Sequence, residues 1–287
     1  MESTHENQPE ERPPCVFVLG AKDPEMRLIE EVLESLSFSI LKATKNGKRV
    51  YPGNAYKADA PNLAAYNYST LYIVECGWQD EPTHAIHIDH HHPGDPGYGK
   101  PPTQYFSASS IGQLFAVISQ LLIHENRRDE LDQMTRRYDR IAHLVAAADH
   151  CLGAAYQGEC PGIDAHELMD WCVQQRAAFQ KRPVEEVIAE LRHSQAVIRQ
   201  LAVDGLADLR SLPGGTVPAA PEAACREGVA VLTTVIDRDG RQKVGLLGAT
   251  KDQVTQFLSG QLVTELVDYY GDPARGFAGG YVPTREE

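Results

Sequence analysis

The chain has 287 residues, enough for one large domain or two ordinary ones. Its 42% hydrophobic and 23% charged residues match a soluble globular protein. The net charge of −13 argues against duplex DNA as a partner, because tight binding to it depends on Lys and Arg neutralising phosphates. No apolar run approaches the length that a bilayer requires, so no membrane partner is expected. Six scattered cysteines with no CxxC suit a reducing cytoplasm, and argue against a disulfide framework or a thiolate zinc site.

Residues 1–13 are polar and acidic, with no hydrophobic segment of the kind a secretory signal carries, and read as a disordered lead-in. Cys15–Gly20 is a continuous apolar run that predicts a buried strand. Asp23 can cap the next helix, with Pro24 at its first position and Glu25 in its first turn. The same two carboxylates can instead reach a site above the sheet. Phe38–Leu41 predicts a second strand. The basic segment Lys45–Lys57, with its Asn46-Gly47 turn, reads either as an exposed hairpin or as a contact for a small anionic or aromatic ligand. Thr70–Gly77 is a third strand and ends in the carboxylate of Glu75. Ala85–Ile88 is a fourth, and it empties into Asp89-His90-His91-His92 and a loop rich in Pro and Gly. Ligands of open α/β sheets bind outside the carboxyl ends of the strands.

Helical spacing begins near Ser109, and a second helix covers Arg128–Ala155. Its stretch Ile141–Ala148 is almost wholly small and apolar, so Asp149 at its end is expected to be paired or bound to metal. Helices follow at Ala165–Gln180 and Val184–Ala202. Leu212–Pro221 is the best linker candidate. Beyond it, strands at Gly228–Ile236 and Lys243–Leu247 flank an Asp239-Gly240 turn, and a helix is predicted over Val254–Tyr270. The expected organisation is a parallel-sheet α/β domain over 14–204 with flanking helices, then a smaller α+β domain over 205–287.

Carboxylates and imidazoles therefore gather at element ends: Asp23, Glu25, Glu75, Asp89 to His91, and Asp149. Hard carboxylates with imidazoles and no thiolate suit Mn²⁺ or Mg²⁺, with Zn²⁺ or Fe²⁺ also compatible. In this order the residues resemble the DHH phosphoesterase superfamily, whose name is the tripeptide Asp89-His90-His91. The resemblance implies one or two Mn²⁺ or Mg²⁺ ions held by Asp23, Glu25, Glu75, His90 and Asp149. It implies that His91 faces the phosphate and the leaving group, with Asp89 behind it as the other catalytic residue. It further implies that Arg275, Gly276, Gly279 and Gly280 bind substrate in a C-terminal glycine-rich loop. The chain departs from the family pattern at three places. The first motif is Asp23-Pro24-Glu25, or Glu25 with Arg27 in a shifted register. Glu75 replaces an Asp, and Tyr281 replaces a His.

Two functions follow as expectations. One is a metal-dependent phosphohydrolase acting on a phosphodiester or phosphoanhydride in a small nucleotide or short oligonucleotide, in a protein that can form a homodimer. The other is a degenerate relative that binds a nucleotide or a protein partner without turnover.

Overall fold

The computed structural model describes residues 15–237 and 240–283. The expected N-terminal lead-in and Asp239 of the expected hairpin turn lie outside them. The chain is an α/β protein that divides into two compact units between Ile88 and Asp89.

In the first unit, β1 (Cys15–Leu19) leads through α1 (Pro24–Ser35) to β2 (Ser39–Lys42). A short hairpin follows, β3 (Thr44–Lys45) and β4 (Lys48–Arg49), and then β5 (Thr70–Val74) and β6 (Ile86–Ile88). Strands β2, β1, β5 and β6 form one parallel sheet in that order. The run Val16-Phe17-Val18-Leu19 is apolar throughout because β1 is buried on both faces. Phe17 stacks on Tyr72 at 4.7 Å between ring centroids and meets the edge of Phe38 at 5.5 Å. Burial of a side chain of this size contributes about 2–3 kcal/mol.

Asp23 caps α1, its Oδ1 accepting the Met26 amide at 2.7 Å, with Pro24 in the first turn. The basic hairpin is tied down rather than left as a solvated arm. Arg49 donates to Glu30 on α1 at 3.0 Å and to the Gly20 carbonyl at 3.2 Å, and Lys45 pairs with Asp59 at 3.0 Å.

The second unit begins with α2 (Tyr105–Ala108), α3 (Ser110–His124), α4 (Arg128–Tyr156), α5 (Ala165–Gln180) and α6 (Val184–Leu201). Next come β7 (Ala202–Val203), β8 (Leu206–Asp208), α7 (Ala220–Glu227), β9 (Ala230–Ile236) and β10 (Gln242–Leu247). It closes with α8 (Lys251–Leu258), β11 (Val267–Asp272) and β12 (Phe277–Tyr281). The sheet order is β11-β12-β10-β9-β8-β7, antiparallel except where β8 runs parallel to β9.

Three expectations are corrected here. Leu212–Pro221 is no linker. Val217, Ala219 and Ala220 are buried in one core with Val173 of α5 and Leu191 and Ile198 of α6. Apolar residues spaced among its prolines and glycines give that stretch a face to bury. For the same reason residue 205 marks no break in packing, and the compact units divide at Ile88 instead. The helix expected over Val254–Tyr270 stops at Leu258. A Thr250–Gln253 capping box opens it, and Gly260 at φ +73° ends it. The β-favouring tail Val267-Asp268-Tyr269-Tyr270 then pairs with β12. Among the described residues, no single helix is long and apolar enough to cross a membrane.

Candidate metal centre

The first unit places three of the expected site residues at the carboxyl edge of its sheet. Glu75 follows β5 directly, 5% exposed, with its backbone in the left-handed region at φ +48°. Residues other than Gly, Asn and Asp enter that region at a cost, and such residues cluster at functional sites. Glu25 is buried in the first turn of α1. Asp23 spends one oxygen on the Met26 amide. Gly20, where β1 ends, admits no side chain, because a Cβ there would lie 2.1 Å from the Glu75 carbonyl oxygen.

The second unit begins with Asp89, which is 1% exposed and clamped from two directions. The side-chain amide of Gln113 on α3 accepts from the Asp89 amide at 3.2 Å and donates to its carbonyl at 2.9 Å. Asp89 Oδ1 in turn accepts the amides of His90 at 2.7 Å and His91 at 3.1 Å, and pairs with His91 Nδ1 at 2.9 Å. One carboxylate thus fixes the backbone of the turn and the ring of His91, leaving Nε2 as that ring's outer nitrogen. The turn packs closely against α2. At Gly97 a Cβ would sit 1.9 Å from the Ala108 carbonyl and 2.7 Å from the His90 Cβ.

His90 is fully buried and joins a chain of polar contacts. Its Nδ1 lies 3.0 Å from His150 Nδ1, and its Nε2 lies 3.0 Å from Asp149 Oδ2. His150 Nε2 lies 3.1 Å from the Lys100 carbonyl. Arg275 donates to the Asp149 carbonyl at 2.9 Å and to its Oδ2 at 3.3 Å. A break in α4 at Cys151, where φ is −153° and ψ is 50°, follows Asp149 and His150.

Proton positions follow from these partners. A carbonyl only accepts, so His150 carries its proton on Nε2. Burial pushes His150 down to about 4, so it is neutral near pH 7 and its Nδ1 is a lone pair. His90 must therefore donate from Nδ1. The Nε2 of a neutral His90 would then be a lone pair facing the Asp149 carboxylate. Burial alone would raise that carboxyl, but the bond to His90 and the Arg275 guanidinium outweigh it and hold the group well below the usual carboxylate range. Two acceptors 3.0 Å apart need a positive charge. Either His90 is an imidazolium, or a cation is shared by its Nε2 and Asp149. His90, His91 and Asp149 each bring a donor atom within 4.8 Å of the others, so the cluster can hold a metal ion.

The substrate residues expected near the C-terminus are distributed differently. Arg275 and Gly276 lie in the turn between β11 and β12, and Arg275 is the residue on Asp149. Gly279 and Gly280 are not in a loop. They sit within β12, opposite Gly245 and Val244 of β10. A Cβ at Gly279 would come within 2.3 Å of the Tyr270 hydroxyl, so the glycine makes room for that ring. This face of the sheet floors a cavity of about 410 Å³ lined by Arg176, Thr233, Lys243, Tyr270 and Phe277 among others. Lys243 lies 5.0 Å from the Tyr270 ring centroid, and the Arg275 guanidinium 5.3 Å from that of Phe277.

Sequence reading missed the His150–Lys100 support and the cysteine pair Cys151–Cys160, whose sulfurs lie 2.9 Å apart. His150 carried a sequence signal, since it adjoins Asp149 on a buried helix. The carbonyl of Lys100 carried none, because any residue supplies one. No protein-family model, curated protein or solved structure matches the chain.

Proposed function

We propose that the chain is a metal-dependent phosphohydrolase, distantly related to the DHH phosphoesterases, that acts on a small phosphorylated substrate in the cytoplasm. The observation that carries this reading is the buried approach of His90 Nε2 to Asp149 Oδ2 at 3.0 Å, beside His91. A carboxylate with two imidazoles suits Mn²⁺, with Mg²⁺ the alternative. When bound, such an ion supplies positive charge that activates a water and offsets charge on phosphoryl oxygens.

The remaining roles fall to the chain itself. Asp89 accepts from His91 Nδ1, which leaves the Nε2 lone pair of that ring oriented as a ligand. The contact with His90 and the Arg275 guanidinium keep Asp149 ionised. A nucleoside fits a cavity of about 410 Å³ that offers Tyr270 and Phe277 rings beside Lys243 and Arg176. The net charge of −13 favours a short substrate over duplex DNA.

The test is Mn²⁺-dependent turnover on a linear dinucleotide, a nucleoside bisphosphate, pyrophosphate and a chromogenic phosphodiester, with His90→Ala alongside. Turnover that the variant loses is the expected result. Folded protein inert toward the whole panel with Mn²⁺, Mg²⁺ or Zn²⁺ would sink the reading. A second reading, nucleotide binding without turnover, draws on Asp23, which spends an oxygen on capping α1 where the family pattern has a metal ligand. It predicts thermal stabilisation by a nucleotide that is never hydrolysed.

A further inference from the structure

We propose that Cys151 and Cys160 form an oxidisable pair that closes to an intrachain disulfide, a covalent modification site next to Asp149 and His150. The inference stands apart from the phosphohydrolase reading, since it needs neither metal nor substrate. All six cysteines are free thiols, and these two sulfurs lie 2.9 Å apart. A disulfide bond is about 2.05 Å long, so an approach of about 1 Å separates contact from bond. Both residues are buried, at 3% and 2% exposure, which shields the pair from partners in other molecules.

The backbone presents both thiols. Cys151 occupies the single residue of α4 whose dihedral angles leave the helix. Cys160 sits in the loop between α4 and α5, and that loop is held at several points. Tyr105 donates to the Pro161 carbonyl at 3.3 Å, and Arg140 to the Gly162 carbonyl at 2.9 Å. The Glu159 amide bonds back to Ala154 at 2.9 Å. A loop pinned on both flanks of Cys160 has already lost the freedom that closing a ring would otherwise cost.

A small peroxide supplies the oxidant. The contact with Cys160 and burial push the Cys151 thiol up, so the attack on a peroxide oxygen falls to the Cys160 sulfur; the O–O bond breaks, and a sulfenic acid and one water result. The second sulfur then displaces the sulfenic oxygen, which leaves as a second water. Two electrons pass from the sulfur pair to the peroxide, and both thiol protons end in water. A dithiol reductant reverses the bond by exchange. Because both sulfurs are buried, closure is expected over minutes to hours.

Peptide mapping of the full-length protein tests the site. Protein treated with hydrogen peroxide is unfolded in alkylating reagent and cut after glutamates. Cleavage at Glu130, Glu159 and Glu167 puts Cys151 and Cys160 on different peptides, 131–159 and 160–167, and leaves Cys172 on neither. The expected result is that these two peptides run joined, lighter by two hydrogens, and separate after treatment with a dithiol. Cys172→Ser should leave the link intact, Cys160→Ser should abolish it, and the oxidised wild type should melt higher than the reduced. The proposal is overturned by alkylation of both cysteines after oxidation, by links to Cys172 or Cys225 in their place, or by oxidation at either sulfur that a dithiol cannot reverse. The mapping of wild-type protein decides the matter even if a serine variant fails to fold.

Discussion

Two aspartates stand just beyond parallel strands, and they do different work. Asp23 gives Oδ1 to one amide three residues on and starts a helix. Asp89 gives Oδ1 to two consecutive amides and to an imidazole, and so presents side chains instead of a helix. The following residues decide the outcome. Pro24 has no amide hydrogen and a φ suited to a first helical turn. His90 and His91 bring amides that fold back on Asp89, and rings that need their tautomers fixed. An aspartate at a strand end is therefore ambiguous until its neighbours are read as donors.

The largest expected effect is at His90. Isothermal titration of His90→Ala with Mn²⁺ should show affinity lowered by more than about 100-fold, or binding lost, while Asp23→Ala binds as wild type does. Loss in both would erase the distinction between the two turns.

Next in size is a dependence on pH that belongs to the Asp89 side. His150 is held near 4 by burial, against 6.5 when unfolded. Between those values the unfolded chain binds the extra proton, so stability rises with pH across the window and is lost as pH falls through it. The loss by pH 4 should be about 3 kcal/mol at about 1.4 kcal/mol per unit. Chemical denaturation from pH 7 to pH 4 reads it, and His150→Gln should flatten the slope. An unchanged slope would mean that His150 does not back His90 as a neutral ring.

A smaller effect is expected at Asp89. Asp89→Asn keeps an oxygen for the amides but loses the charge behind His91, and should weaken Mn²⁺ binding by about 10–100-fold. The smallest is stability alone. Asp23→Ala should cost about 1 kcal/mol in urea unfolding, the usual worth of a helix cap.

Much of the first unit was legible because its code is local. The apolar runs at Cys15–Leu19 and Thr70–Val74, and the cap at Asp23, need no distant partner to be recognised. His90 and Asp149 were legible as chemistry, an imidazole after a strand and a carboxylate in an apolar helix. What stayed hidden depends on residues far apart in sequence. Arg275 reaches Asp149 across 126 positions, and Cys160 reaches back nine to Cys151 through a helix break that no proline announces. The C-terminal strand β11 was hidden because Val254–Phe257 carries a true helical pattern up to Leu258, and apolar residues continue beyond Gly260.

The backbone at Glu75 has one further consequence. A left-handed φ of +48° suits Asn better than Glu, so Glu75→Asn should gain about 1 kcal/mol. A laboratory selection that rewarded only heat resistance would therefore discard this acid among its first changes. Stability and the carboxylate pull in opposite directions at one position, and the natural sequence keeps the acid.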